Sequence, residues 1–509
     1  MSYVVGVDAG TSAVKAGVYG LDGAALAIAS APVALDRASD GAVTQDLDAI
    51  YAAAATATAH AVAAAGVVPA DALALAVDGQ MAGVGLVDRD HRPVAPYDSW
   101  LDSRCGGVLD SIDGDLAARV LASSGCSPTI AIGPKLVWWA RERPEVTSRA
   151  VRFVTAGGYV AGRAAGLAGD EAFVDPTYLH FTSVADTAAG RWDPDLARAM
   201  GVPERLLPRI VPSAEVVGRL TPEAAAAFGL PAGLPVAAGC GDTAASALGA
   251  GVLGDGEALD VAGTAAVLAI RVPGFAPDPS GTLLTMRSPL DGSCYALAYV
   301  GGAGEIVDWL CRALLGHAAV DDHAYADLAR AAAAAPPGSE GLLASPHFSG
   351  RICPAAPAMR GSLVGLSPVH GRDHVVRAVL ESIAYEYRGY AEAAGAAQGA
   401  PGRPLAAVVG TGGGSRLAAW NQIKADVLGA PYTPLEGVEA GTRGAALVAI
   451  AAAGAPIPTI GADRYGVTAR PGPGADDYLG HYRRYVAWTQ HLADGYGEAL
   501  PAPADGMHH

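Results

Sequence analysis

The tripeptide Ala-Gly-Thr occurs twice in the same local setting, at Ala9-Gly10-Thr11 and Ala262-Gly263-Thr264, each time between two short runs of small and β-branched apolar residues. The first copy reads Val4-Val5-Gly6-Val7-Asp8-Ala9-Gly10-Thr11-Ser12-Ala13-Val14-Lys15-Ala16-Gly17-Val18, and the second Ala258-Leu259-Asp260-Val261-Ala262-Gly263-Thr264-Ala265-Ala266-Val267-Leu268. Both patterns are strand, glycine turn, strand. A turn of glycine and a hydroxyl residue presents backbone N–H groups with no side chain in the way, so an anionic phosphate can approach closely. Either copy alone also fits an ordinary hairpin. Two copies in matching contexts, one per half of the chain, point to a phosphate clamp that closes from both sides.

The copies differ at the residue three before the Thr, which is Asp8 in the first and Val261 in the second. A carboxylate at a strand end beside a phosphate loop suits a hard cation such as Mg²⁺, which keeps most of its waters and bridges to phosphate oxygens. Only the first hairpin can hold a metal in this way. The alternative is that Asp8 caps its own turn.

At 509 residues and 51% hydrophobic composition, the chain has core enough for two large domains. A net charge of −17 without any Lys/Arg-rich run excludes an electrostatic footprint for nucleic acid or an anionic membrane, leaving a small molecule as the partner. No apolar run reaches the roughly 18 residues that span a bilayer. The six scattered cysteines have neither zinc nor redox spacing and imply reduced thiols in a cytoplasmic protein. The histidines show no metal-ligand spacing and no Gly-x-Ser-x-Gly elbow occurs, so zinc-enzyme and hydrolase readings lack support. Gly506-Met507-His508-His509 reads as a tag remnant and is set aside from the fold.

The first hairpin continues into a third strand over 24–33, then a helix over 46–65 ending at Gly66, and a strand over 73–77 that runs into Asp78-Gly79-Gln80-Met81. Strands over 83–87 and before Trp100 bracket a turn at 88–90, and helices follow over 105–170. A turn-rich stretch near 231–235 places the domain boundary between 237 and 238, giving domains 1–237 and 238–505. After a helix over 243–251 the second half restarts with its own hairpin. Helices over 305–315 and 373–394, a strand over 405–409, the loop Gly410-Thr411-Gly412-Gly413-Gly414-Ser415 and a helix over 416–428 complete it. The expectation is two α/β domains of like topology facing a cleft.

Several segments could carry chemistry. The glycine loop ending at Ser415 joins a strand to a helix, the geometry in which backbone and helix N-terminus meet a nucleotide; a plain flexible loop is the alternative. Asp242, in Gly239-Cys240-Gly241-Asp242-Thr243, stands on a glycine-flanked turn at a helix start, where position alone favours an N-cap. Gln80 and Met81, with Trp100, Asp102 and Arg104, offer amide, carboxylate, guanidinium and aromatic groups suited to a polyhydroxylated ligand, or else a surface Asp/Arg pair beside a core Trp.

Taken in order, these segments resemble the FGGY family of carbohydrate kinases, which share the actin and Hsp70 type of ATPase fold. The resemblance spans nearly the whole chain: Asp8 to Ser12 with Lys15, Gly79-Gln80-Met81, Trp100 to Arg104, Gly239 to Thr243, Gly263-Thr264, Gly301-Gly302, Arg360-Gly361, Gly412 to Ser415, Trp420-Asn421 and Gly441 to Ala446. It implies two ribonuclease-H-like domains around a central cleft, an N-terminal one for sugar and a C-terminal one for nucleotide. It also implies ATP and Mg²⁺ as ligands, and a homodimer. Asp242 becomes the general base, which accepts a proton from a sugar hydroxyl, and Asp8 the metal carboxylate. Gly10, Thr11, Ser12, Lys15, Gly263 and Thr264 would meet the phosphates, while Gly412, Gly413, Gly414, Ser415 and Asn421 would lie along the nucleoside. Gln80, Met81, Trp100, Asp102 and Arg104 would shape the sugar pocket.

Within the family the segments are most similar to those of xylulose kinases, implying D-xylulose as acceptor. Three departures keep another ketose or polyol open: Ala82 stands where those kinases carry His, Leu179-His180 replaces an Ala-Ser pair, and Ser349-Gly350-Arg351 replaces Gly-Glu-Arg. A non-catalytic actin-like ATPase or sugar sensor is the competing class.

Overall fold

The computed structural model describes residues 1–499 except Thr264, Ile460, Ala462 and Asp463, so Thr264 of the second hairpin lies outside the described residues. Two mixed sheets organise the chain. The first is built from β1 (Tyr3–Ala9), β2 (Ala13–Gly20), β3 (Ala25–Pro32), β4 (Ala72–Gly79), β5 (Val216–Arg219), β6 (Pro235–Ala237) and β7 (Cys240–Gly241). Its order is β5-β6-β4-β1-β2-β3, with β7 also pairing β4. The second is built from β8 (Glu257–Ala262), β9 (Ala266–Val272), β10 (Leu284–Arg287), β11 (Cys294–Val300), β12 (Ala407–Thr411) and β13 (Tyr432–Pro434), in the order β10-β11-β9-β8-β12-β13.

Each sheet therefore repeats one plan: an antiparallel hairpin, a further antiparallel strand outside it, and a strand that returns parallel to the first. Strands β1 and β2 pair as an antiparallel hairpin around Gly10-Thr11, and β8 and β9 pair antiparallel from Ala262 and Ala266 outward, as the spacing predicts. The boundary expected between 237 and 238 falls between β6 and β7, both of which pair β4 in the first sheet.

The helices needed below are α1 (Leu47–Ala65), α2 (Ile132–Glu142), α3 (Ala156–Ala164), α4 (Asp242–Gly249), α5 (Asp322–Ala334), α6 (Arg372–Ala397), α7 (Ala418–Leu428) and α8 (Ala440–Ala452). Helix α1 starts where the Asp46 side chain accepts the Asp48 N–H and stops at Gly66, whose φ of 62° a side-chain-bearing residue adopts only with strain. The stretch over 105–170 is a series of helices separated by loops, as expected, interrupted by one short strand. Residues Gly85–Val87 pair with a strand at Arg152–Val154, while Val84 bridges Asp98. The helix expected from 416 begins at Ala418, because a 3₁₀ turn at Gly413–Arg416 precedes it.

Strand β1 is buried on both faces, which is why it reads as a continuous run of small apolar residues rather than an alternating one. Val5 and Val7 pack with α1 and α3, whereas Val4 packs with α4 and α8, which arrive from later in the chain. Glycines set the depth of that second contact. A methyl on Gly6 would sit 2.0 Å from the Thr442 carbonyl oxygen, one on Gly249 1.8 Å from that of Ala440, and one on Gly444 1.9 Å from that of Ala245. Backbone meets backbone at all three points, leaving no flexible side chain to yield.

Gly444→Ala must therefore separate α4 from α8, and we expect a loss of about 2 kcal/mol or more, read as a lower midpoint in thermal or urea unfolding. Gly114→Ala, where nothing lies within 4 Å of the added methyl, should leave the midpoint unchanged or raised. Equal midpoints for the two variants would show that the α4–α8 contact is not tight.

Candidate active site

Three carboxylates converge at the ends of neighbouring strands of the first sheet. In the parallel β1–β4 register Asp8 is paired with Asp78, and in the β4–β7 register Asp78 is paired with Cys240, two residues before Asp242. Paired residues of parallel strands project on the same side, so the backbone register itself brings the acids together. Asp78 is fully buried, and among the described residues no N–H or hydroxyl group donates to either of its oxygens. The Asp8 carboxyl lies within hydrogen-bonding reach of it, a contact that two carboxyls make only by sharing a proton.

Burial raises all three acids above the usual carboxylate range. Asp78 goes well above it, with the charges of Asp8 and Asp242 adding to the desolvation. Asp8 is raised by burial and partly relieved by Asp78 and Lys15. Asp242 rises to about 7, from burial first and the Asp8 charge second.

Asp242 is not the cap of its helix. Gly241 holds that position, and the carboxylate of Asp242, the first helical residue, accepts only from Thr243 among the described residues, at 2.6 Å from its N–H and 3.2 Å from its hydroxyl. The turn leading into it is held from below: the Thr177 hydroxyl accepts the Gly241 N–H, and the Tyr178 hydroxyl donates to the carbonyls of Gly79 and Cys240. Met81 packs directly over Gly241, where an added methyl would meet its sulfur at 2.6 Å.

The first hairpin turn is tied to the segments expected to bind sugar. Gln80 donates to Gln45 at 2.7 Å, Gln45 donates to the Thr11 carbonyl at 2.8 Å, and the Trp100 indole N–H donates to the Thr11 hydroxyl at 3.0 Å. Trp100 is nonetheless 47% exposed, so an aromatic face remains for a ligand. Ala82 follows Met81 with φ of 60°, and its carbonyl accepts from the buried ammonium of Lys135 on α2, which also donates to the Ser99 carbonyl.

Asp102 and Arg104 come together, but as a closed pair. Asp102 accepts from the Val43 N–H and the Arg104 guanidinium, and Arg104 also pairs with Asp98 at 2.6 Å and lies 4.3 Å over Trp138. Their polar atoms hold the loop that carries Trp100.

The segments expected at the nucleotide assemble around the second hairpin. A methyl on Gly412, whose φ is 83°, would sit 2.6 Å from the Ala262 carbonyl oxygen, so the glycine loop lies directly against Ala262 and Gly263. Ser415 donates to the Gly412 carbonyl and Asn421 to that of Ser415, so both shape the loop from within. The Asn421 side-chain oxygen is buried without a partner. On the opposite side Lys15 pairs with Glu439 at 2.7 Å, immediately before α8, and a methyl on Gly441 would meet the Asp8 carboxylate at 3.0 Å. Gly10 and Ser12 occupy the β1–β2 turn itself.

Family models cover both halves of this arrangement: the N-terminal domain of the FGGY family of carbohydrate kinases over residues 3–249 and its C-terminal domain over 249–453. The chain belongs to the FGGY family of carbohydrate kinases. It is 28% identical over 461 residues to the xylulose kinase of Bacillus subtilis, covering 88% of each chain, and 31% identical over 461 residues to the glycerol kinase of Thermus brockianus, covering 88% of this chain and 89% of that one. The crystal structure of xylulose kinase from Rhodospirillum rubrum superposes with a TM-score of 0.87 at 29% identity, over 97% of this chain and all of the other.

As an FGGY kinase the chain is a sugar phosphotransferase that uses ATP. No helix among the described residues is long and apolar enough to cross a membrane. All six cysteines are free and buried.

Sequence reading left Asp78, Gln45, Lys135 and Glu439 outside the site. Asp78 was the most accessible of these, since the strand predicted over 73–77 runs directly into it and on to Gln80 and Met81; the other three are distant in sequence from what they support. Because folding raises the Asp78 carboxyl above its unfolded value near 3.9, the folded chain holds that proton more tightly, and stability falls as pH rises above about 4. Asp78→Asn removes this penalty. In metal-free buffer the variant should melt above wild type at pH 8, with the gap closing towards pH 4; a variant melting at or below wild type at pH 8 would refute the burial argument.

Proposed function

We propose that this FGGY kinase transfers the γ-phosphoryl group of ATP to a primary hydroxyl of a ketopentose, D-xylulose giving its 5-phosphate, with Asp242 as general base. The observation that carries the proposal is the Asp242 carboxylate itself. It stands at the mouth of the turn between Met81 and Asp8, engages only Thr243 among the described residues, and is poised near neutrality by burial and the Asp8 charge. A base so tuned accepts the hydroxyl proton as the new O–P bond forms, while the bond from the γ-phosphorus to the ADP oxygen breaks. A binding module that senses sugar has no use for such a group.

The all-oxygen pair of Asp8 and Asp78, with two Asp78 oxygens that no described donor reaches, fits a hard divalent cation. When bound, Mg²⁺ supplies neutralisation of phosphate charge. Asp8 and Asp78 would hold it, and Lys15, the β1–β2 turn and Gly263 would orient the phosphates. Gln80, through Gln45, fixes the Thr11 turn, and Met81 with Trp100 provides apolar walls to the acceptor.

The assignment of D-xylulose rests on similarity to xylulose kinases across nearly the full chain. Ala82 marks the position at which this pocket departs from theirs, and its methyl offers no hydrogen bond to a hydroxyl. ADP release with MgATP should be measured across D-xylulose, L-xylulose, ribuloses, gluconate, glycerol and alditols. We expect the highest kcat/KM with D-xylulose, and a loss of ~10²- to 10⁴-fold in kcat for Asp242→Asn with sugar binding retained. A different best acceptor would reject the substrate and keep the base. Near-normal turnover by the variant would reject the base.

A further inference from the structure

We propose that His317, His323 and Asp327 form a second metal site, for a borderline divalent ion of the Zn²⁺ class, outside the catalytic cleft. Sequence spacing alone gives these residues no ligand pattern, but the fold brings them together. His323 and Asp327 are four residues apart on α5 and share one face of it, and His317 returns from the preceding turn with its N–H held by the Cys311 carbonyl. One ligand atom from each residue can be chosen so that all three lie within 4.8 Å of one another.

The individual contacts favour an ion over a simple hydrogen-bonded cluster. The His317 Nε2 atom is buried and stands 3.1 Å from an Asp327 oxygen, at ion-pair distance, yet makes no hydrogen bond with any described residue. Donor atoms around a tetrahedral ion with bonds of roughly 2.0–2.1 Å stand about 3.3 Å apart, so this pair is already spaced as two ligands. The other Asp327 oxygen is held by Arg330, which orients the carboxylate towards His317. His323 is exposed, and one of its ring nitrogens lies within 4.8 Å of the chosen His317 and Asp327 atoms.

A contrasting pair, His370 and His374, shows what non-ligating histidines look like here: each Nδ1 accepts a backbone N–H, from Ser367 and Gly371. Two imidazoles and one carboxylate select Zn²⁺, Co²⁺ or Ni²⁺ over Mg²⁺ or Ca²⁺, so the site is chemically distinct from the all-oxygen pair of Asp8 and Asp78. Its location gives it a structural lever. Helix α5 also carries Tyr325, whose hydroxyl lies 3.4 Å from where a methyl on Gly413 would stand, and Asp322, which pairs with Arg416 at 3.5 Å. An ion bridging α5 to the preceding turn would brace the helix against which the nucleotide loop rests.

The test is Co²⁺ titration of the full chain carrying His508→Ala and His509→Ala, which removes the terminal His pair, with excess Mg²⁺ to occupy oxygen-only sites. One equivalent of Co²⁺ should produce hyperfine-shifted, solvent-exchangeable imidazole N–H resonances, with loss of the signal on adding Zn²⁺. His323→Ala and Asp327→Asn, each verified as folded by circular dichroism, should lose those resonances, whereas His370→Ala should retain them. Absence of shifted imidazole resonances at saturating Co²⁺, or their persistence in both site variants, would overturn the proposal.

Discussion

Placing like charges on adjacent parallel strands is the constraint around which the first half of the molecule is arranged. The β1–β4 register sets Asp8 beside Asp78, and the β4–β7 register delivers Asp242 to the same end of the sheet. Buried and without a donor among the described residues, Asp78 is a group that folding alone would remove. The surrounding structure withstands the repulsion because the strands cannot shift: α1 and α3 cover one face, and α4 and α8 meet the other through glycine-to-carbonyl contacts. A cation and phosphates entering the cleft would relieve the charge that the register imposes, so binding energy and strand register are linked.

The two hairpins show how a repeated element diverges. Aligning the Ala-Gly-Thr turns sets Asp8 opposite Val261 and places the second half's carboxylate one residue earlier, at Asp260. With a period of two along a strand, that shift turns the side chain to the other face. Asp260 is fully buried there, paired with Lys424 and accepting from the hydroxyls of Tyr387 and Tyr432. One half thus retains at the cleft an acid that no described donor reaches, and the other neutralises its acid in the core beneath the nucleotide loop. That asymmetry follows from a single position in the strand.

Legibility in the sequence followed the range of the interactions involved. The duplicated turns, the caps of α1 and the glycine loop are local, and each was visible because its residues are contiguous. Asp242 was ambiguous as a local motif, since an acid at a helix start is ordinarily a cap; its freedom from capping emerges only once Gly241 is seen to hold the cap position. Asp102 and Arg104 read either as part of a ligand pocket or as an Asp/Arg pair beside a core Trp, and their pairing is reinforced by Asp98 and by the Val43 N–H, a contact spanning 59 residues. Gln45 and Glu439 support the first turn from 34 and 424 residues away, and no local pattern marks them.

The contact between α4 and α8 carries a mechanical consequence. Two helices joined carbonyl-to-glycine at Gly249–Ala440 and Gly444–Ala245 have no layer of side chains to shear, and so behave as a fixed pin. Helix α4 leads into the second sheet and α8 follows its last strand, so both partners of the pin connect directly to that sheet. Side chains cannot slide at that contact, so Asp8, on the strand that α8 meets through Gly6, and Asp242, on α4 itself, are held at a fixed separation.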